Sequence, residues 1–184
     1  DLLSSSGDIL VHGGSLGIRM ENTVRIGQAS SPLVPASTAN FVMTGNAISF
    51  NTGKTAAIAT IGTVTLQPSG NDFTTSPTLS DFSFSGNETG LTIGKSATSA
   101  DGTSDESITL NKATSIAGPI SVYGGDITLN QNLSSTLASA AILLRASGKV
   151  TLAANKTIQT NNGDIVLWSN SADGTSGGID INNN

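Results

Sequence analysis

The sequence predicts an all-β fold in which short strands coil into a parallel β-helix, or β-solenoid. Three observations support this: recurrent short strand patterns, an internal repeat, and a composition rich in turn residues. Only 11% of the 184 residues are charged, compared with about 25% in a typical soluble domain. The 21 glycines and the many Ser, Thr and Asn residues take the place of the charges, while 36% of residues remain hydrophobic. This composition favours a folded, turn-rich β protein over a disordered chain.

The strand patterns alternate apolar and polar residues, which is typical of β-strands with one buried face. Gly, Asn or Asp punctuates nearly all of them, as turns require. The predicted strands cover residues 8–11, 23–26, 47–50, 63–66, 90–93, 107–110, 119–122, 126–129, 141–144, 149–152, 164–167 and 178–181.

The repeat lies in the C-terminal half, where segments 125–147 and 148–170 align without a gap. Ile127 then matches Val150, and Ile142 matches Ile165. The hexapeptide at 99–104 also recurs letter for letter at 171–176. Self-similarity at a period of about 23 residues is typical of solenoids, propellers or arrays.

Each repeat unit contains two strong strands and a weaker third near Leu133 or Ile158. A propeller blade needs four strands in a longer unit, and an immunoglobulin-like sandwich needs no gapless repeat. A β-solenoid with about 19–23 residues per rung in the C-terminal half fits best. The coil is expected to be right-handed, on precedent alone.

Three stretches depart from the regular pattern. Residues 137–145 have helical propensity, but their place in the repeat predicts a strand. Residues 30–35 and 67–77 are predicted loops. We expect one solenoid domain over 1–184, less regular in 1–45 and with its clearest repeats in 86–181.

Composition also limits the functional classes. The net charge of −5 and the absence of a basic cluster argue against nucleic acid. With no cysteine, disulfides and thiolate chemistry are excluded. No apolar run reaches the roughly 20 residues of a membrane span, so membrane insertion is not expected. Because the chain opens at Asp1, we expect any export signal to have lain upstream.

Two segments carry a family resemblance: GDITLN at 125–130 and GKVTLAANKTIQTNNGDIVL at 148–167. This pattern resembles the rungs of filamentous haemagglutinin-like exoproteins of the two-partner-secretion type, and those of other large repetitive Gram-negative adhesins. The resemblance covers about residues 86–181 of the chain. It implies an exported rod at the bacterial cell surface and transfers no catalytic residues.

Residues suited to catalysis are few. His12 is the only histidine, and it is expected to be structural or exposed at a strand end. Glycoside hydrolysis needs two carboxyl groups close together, but the acidic residues do not recur at one rung position. Asp126 and Asp164 follow glycine at turn exits, where Asp is favoured for turn chemistry alone. We therefore expect no enzymatic activity, with a polysaccharide-active β-helix enzyme as an alternative.

One loop is a candidate calcium site. Asp101, Asp105 and Glu106 place three carboxylates beside a glycine, and calcium favours oxygen ligands. The second copy of the loop, around Asp173, lacks the counterparts of two of these carboxylates, which favours an exposed corner instead. No other cofactor is expected.

The candidate contact residues follow the second strand of successive rungs: Tyr123, Arg145 and Trp168. With Val122, Leu144 and Leu167 inward, these three residues point outward on one file, where an aromatic–Arg–aromatic stack could form. Leu143 and Val166 would add apolar surface beside them. The file is either a contact surface for a sugar, a protein or another copy of the chain, or a ladder that only stabilises the rod.

Polar ladders are predicted at other positions of the rung. Asn111 would stack on Asn130, and Asn132 on Asn155, by amide-to-amide hydrogen bonds. Outward threonines on the first strand would form a third file: Thr109, Thr128 and Thr151. These files are expected to be structural.

The sequence thus predicts a non-enzymatic structural or adhesive segment of an extracellular bacterial protein. Its partners would be itself, stacked head to tail or laterally, or the rest of a longer adhesin. A host or surface glycan or protein is a further candidate partner. The alternative function is a carbohydrate-binding β-helix module.

Overall fold

The computed structural model describes residues 1–27, 37–96, 106–170 and 177–182. These ranges contain twenty β-strands, a 3-10 turn at Leu79–Asp81 and no α-helix. The largest sheet has seven strands, in the spatial order β19 (Ile165–Trp168), β16 (Ile142–Ala146), β13 (Ile120–Gly124), β10 (Gly90–Ile93), β8 (Thr63–Gln67), β5 (Phe41–Gly45) and β2 (Ile9–Gly14).

Four smaller sheets form the other sides of the coil. The first contains β1 (Leu2–Leu3), β4 (Val24–Gly27), β7 (Ala56–Ile58) and β9 (Phe82–Phe84). The second contains β11 (Ile108–Leu110), β14 (Ile127–Leu129), β17 (Lys149–Leu152) and β20 (Gly178–Ile181). The third contains β12 (Thr114–Ile116), β15 (Leu133–Ala138) and β18 (Ile158–Asn161), and the fourth β3 (Ile18–Met20) and β6 (Ile48–Phe50).

Every strand pairing is parallel and joins strands of successive coils. The chain therefore winds around an axis, as predicted, and the fold is a parallel β-helix. Each of the twelve predicted strands is present, and the weak third strand of the repeat is confirmed as β15 and β18.

The core consists of columns of apolar side chains that stack from coil to coil. One column runs through Phe41, Val64, Leu91, Ile120 and Ile142, which pair in register and are all buried. Burying a side chain of this size contributes roughly 1.5–3 kcal/mol. The stack of such columns is therefore the main source of stability.

Aromatic rings contribute to the core in the N-terminal half of the chain. The rings of Phe50 and Phe82 meet edge to face with centroids 5.3 Å apart. Phe82 is fully buried, and Phe50 packs against the core from a partly buried position.

The spacing between coils varies from sheet to sheet. Ser107 and Asp126 bond across 19 positions, and Asp126 and Lys149 across 23, as predicted for the C-terminal half. Asn132 and Thr157 bond across 25 positions, more than predicted. The corners differ in their number of residues, while the paired strands stay in register.

The gapless alignment of the C-terminal repeats is wrong at one place. Leu129 pairs with Leu152, but Leu133 pairs with Ile158, so the second corner contains two more residues. A bulge between Ser135 and Ala138 restores the register before β16.

This shift overturns the predicted stacking of Asn132 on Asn155. The Asn132 side-chain oxygen instead accepts the backbone N–H of Thr157 at 3.0 Å. Asn155 lies in the longer corner with a φ of 58°, in the left-handed region that Asn tolerates better than most residues.

Segment 137–145 is not helical, as predicted, but it is not one strand. Strand β15 ends at Ala138, Ser139 turns the chain with a φ of 64°, and β16 begins at Ile142. The turn is needed because the segment crosses a corner between two sheets.

Strands in the described N-terminal region join the same stack of coils. The described residues of 1–45 pair with the next coil through Ile9–Phe41, Ile18–Ile48 and Val24–Ala56. The predicted loop at 30–35 lies outside the described residues. The predicted loop at 67–77 is confirmed apart from Gln67, which ends β8, and a single bridge from Thr75 to Ala47.

Candidate functional site

The outer face of the seven-stranded sheet brings the predicted contact residues together. Tyr123 pairs with Arg145, and Arg145 pairs with Trp168, so the three residues form one file across three adjacent strands. Val122 and Leu144, the residues just before Tyr123 and Arg145, are fully buried. The predicted outward file is therefore confirmed as a geometric feature.

Arg145 and Trp168 are in direct contact. The guanidinium carbon of Arg145 lies 4.6 Å from the centroid of the Trp168 ring, within the range of a cation–π interaction. Trp168 remains 48% exposed. The contact holds the guanidinium group against the sheet and leaves much of the indole surface open to solvent.

Apolar side chains lie beside this file. Leu143 pairs with Val166 two residue pairs before Arg145 and Trp168, on the same side of the sheet. Val166 is exposed and Leu143 is half-buried. The predicted apolar surface beside the aromatic file is therefore present.

The charge of Arg145 is not neutralised within the described part of the chain. Its guanidinium group makes the ring contact with Trp168, but no hydrogen bond or ion pair with another described residue. By contrast, Arg19 and Arg25 pair with Glu21 at 3.1 Å and with Asp1 at 2.6 Å. Arg145 therefore keeps its N–H donors available on an open face.

A second outward file lies in the N-terminal coils of the same sheet, separated from Tyr123 by β10, which ends at Ile93. In this second file His12 pairs with Thr44, and Thr44 pairs with Gln67. The Gln67 amide nitrogen donates to the Thr44 hydroxyl at 3.1 Å. His12 is exposed in β2 and lies at the opposite end of the face from Trp168. One signal could have found it: His12 follows an inward Val11 as Tyr123 follows Val122.

The seven strands of this face contain neither Asp nor Glu. The described acidic residues lie outside these strands, either at corners or in other sheets, as Asp180 does in β20. The strands of this face thus carry no acidic side chain, although the whole chain contains 13 acidic residues and has a net charge of −5. The outward side chains of this face include aromatic rings, hydroxyl groups and one arginine.

A small cleft opens at the edge of this face, beside Tyr123. The cleft is lined by Asp72, Lys95, Glu106 and Tyr123, among other residues. The Lys95 ammonium group donates to the Gly70 carbonyl at 3.1 Å. The cleft contains two carboxyl groups but lies away from His12, which is paired with Thr44.

The calcium prediction stays untested. Asp101 and Asp105 lie outside the described residues, and Glu106 is exposed on the cleft wall. Within the ranges that the structure describes, no group of three or more His, Asp or Glu side chains could hold a metal ion.

The polar ladders are present in part. Thr109, Thr128 and Thr151 pair in register as predicted. Asn111 and Asn130 occupy equivalent positions, but the Asn111 side-chain oxygen accepts the backbone N–H of Ser80 at 3.1 Å. Side-chain oxygens of these corners bond to backbone N–H groups of neighbouring coils, so the predicted amide-to-amide bonding is wrong for Asn111 as it is for Asn132.

Comparison with known proteins identifies no relative: no family model, curated protein or solved structure matches the chain. In the described ranges, no helix has the length and apolar character needed to span a membrane.

Proposed function

We propose that this chain is a non-enzymatic structural segment of an extracellular bacterial filamentous protein of the adhesin type. The observation that carries the proposal is the continuous stack of seven parallel strands over unbroken apolar columns. Solenoids of this kind extend by adding coils and present long surfaces. The extracellular location and the adhesive role rest on the resemblance of segment 148–167 to haemagglutinin-like rungs.

The last coil offers a surface for head-to-tail stacking. Ile179 is 45% exposed, while Val150, its partner in the preceding coil, is buried. Ile165 is likewise exposed, and its partner Ile142 is fully buried. A further coil with the same spacing would cover these columns. We propose that it comes either from another copy of the chain or from the rest of a longer protein.

The test is assembly of the purified chain over a range of concentrations, followed by light scattering and electron microscopy. Rods that lengthen with concentration support stacking between copies, and Ile179→Lys should stop the growth because it places a charge in an apolar column. Leu16→Lys is the matched control, because Leu16 is fully solvent-exposed in a turn. Monomers at every concentration would contradict stacking between copies.

A second candidate function is carbohydrate binding at Tyr123, Arg145 and Trp168. The observation that favours it is the exposed Trp168 ring held against Arg145. Binding on a glycan array that disappears in Trp168→Ala would support this function. Retention of binding in that variant would exclude the file as the binding site.

A third candidate, a polysaccharide-active enzyme, depends on the cleft that Asp72 and Glu106 line. Release of new reducing or unsaturated ends from a polysaccharide panel would support it, provided that Asp72→Asn and Glu106→Gln each abolish the release. Absence of such release leaves the non-enzymatic proposal in place.

A further inference from the structure

We propose that the outer face of the seven-stranded sheet binds a polysaccharide that carries carboxylate groups, with Tyr123, Arg145 and Trp168 as the contact residues. This inference deepens the carbohydrate-binding candidate and rests on it. It does not depend on whether copies of the chain stack.

The carboxylate of the proposed ligand is inferred from charge complementarity with the Arg145 guanidinium group. Arg145 is the one arginine of the three that faces no carboxylate within the described residues, since Arg19 and Arg25 have Glu21 and Asp1. None of the seven strands brings an Asp or Glu near it. A guanidinium group presents paired N–H donors that match the two oxygens of a carboxylate.

The fixed position of Arg145 favours recognition. Its contact with the Trp168 ring at 4.6 Å restricts the side chain before any ligand arrives. A side chain that is already ordered loses less conformational entropy on binding. In addition, Arg145 has no described carboxylate partner that an acidic ligand would first have to displace.

The aromatic rings suit the ring of a sugar. Tyr123 and Trp168 flank Arg145 on neighbouring strands, so their backbones lie roughly 10 Å apart, two strand spacings. Aromatic rings present flat apolar faces with a negative quadrupole, which attract the C–H face of a pyranose. A uronate unit offers such a face together with a carboxylate.

The shape of the face favours a linear polymer over other ligands. An extended peptide would add to the free edge of β19 at the end of the sheet, and not across the outer face, because the interior strands are already paired on both sides. The surface is a sheet face rather than a concave pocket of the kind that buries a small molecule. A polysaccharide chain can instead lie across the strands, along Trp168, Arg145 and Tyr123.

The experiment measures binding of the intact chain to polygalacturonate, alginate and hyaluronan, each compared with its carboxyl-reduced neutral counterpart. At least one acid form should bind at least tenfold more tightly than its neutral form. Arg145→Gln should weaken that binding at least tenfold. Lys54→Gln removes the same unit charge at a distant turn and should leave the binding unchanged. Far-ultraviolet circular dichroism and thermal unfolding verify that both variants fold.

Four results would overturn the inference in distinguishable ways. Equal binding of acid and neutral forms would exclude recognition of the carboxylate but leave the carbohydrate-binding candidate standing. Failure to bind any glycan of the panel or of an array would exclude both this inference and that candidate. Unchanged binding by a folded Arg145→Gln variant would show that the glycan does not bind at this face. Equally tight binding of poly-glutamate would show an acidic peptide site instead.

Discussion

Gly118 lies against the backbone of Thr89 in the preceding coil, so that a Cβ atom on Gly118 would stand 1.9 Å from the Thr89 carbonyl oxygen. The same contact recurs at the corner that leads into the seven-stranded sheet in two other coils. A Cβ on Gly62 would lie 2.3 Å from the Ala39 oxygen, and one on Gly163 would lie 2.1 Å from the Ala140 oxygen. Coils can stack closely at this corner because these positions have no side chain.

We expect Gly118→Ala to destabilise the fold by about 1–3 kcal/mol, the usual cost of adding volume where none is free. The clash is with backbone, which cannot rotate away as a flexible side chain could. Urea unfolding followed by circular dichroism measures the change. Gly90→Ala is the matched control, since its Cβ would make only an ordinary contact of 3.4 Å with Thr63. Equal stability of the two variants would show that the corner has room to relax.

Leucines on opposite sides of the same sheet should differ in their contribution to stability. Leu144 is fully buried in an interior column, and Leu10 is 70% exposed on the outer face. Leu144→Ala should cost about 2–5 kcal/mol through lost burial and a residual cavity. Leu10→Ala should change the free energy of unfolding by no more than about 0.5 kcal/mol. A comparable loss from both would mean that the outer face is covered by a partner.

Thr60 is buried, and its hydroxyl oxygen accepts the backbone N–H of Gly62 at 2.9 Å. The same hydroxyl can donate to the Ala39 carbonyl oxygen at 2.5 Å or to the Ser37 carbonyl oxygen at 3.1 Å. Thr60→Val keeps the shape but leaves buried backbone groups without a partner, which costs about 1–3 kcal/mol. Thr65→Val, on the outer face of β8, is the control and should be nearly neutral. Thermal unfolding of both variants would separate a lost hydrogen bond from a general effect of valine.

The pKa of Lys149 is raised because its ammonium group donates to the Asp180 carboxylate at 2.9 Å and is attracted by the charge of Asp180. A raised pKa in the folded state means that any stabilisation is present below the unfolded pKa of lysine. It is lost as the pH rises through the folded value. We expect Asp180→Asn to lower the Lys149 pKa, which titration of the Lys149 side-chain NMR signals can measure. An unchanged pKa would mean that the pair does not form in solution; because both side chains are half-exposed, stability should change little.

Sequence alone predicts even three-residue strands such as β11, because both of its inward residues are large aliphatics. It misses β7 (Ala56–Ile58) and β12 (Thr114–Ile116), where one inward residue is the small Ala56 or the polar Thr114, and it also misses the longer β5. It also misplaces Asn155, because two extra corner residues and the later bulge in β15 cancel each other in a gapless alignment. Compensating irregularities of this kind leave no trace in the repeat length.

The candidate site was predictable only where the repeat is regular. The alignment of Arg145 with Trp168 requires nothing more than the 23-residue spacing that Asp126 and Lys149 also show. The repeat spacing alone could not place His12 on the same face, since the first coil is joined to the second across 32 positions. Only the register between strands shows that the two ends share one surface.

The parallel stacking of coils has a mechanical consequence. The chain runs across the axis, and each coil occupies roughly 4.8 Å of length, yet it stores about 23 residues of chain that can span some 80 Å when fully extended. Tension along the axis that unfolds one coil from an end would therefore release a length of chain more than ten times the thickness of that coil. Such a rod would lengthen by unfolding one coil at a time from its end. The coils that are still stacked would keep their structure while the tension falls.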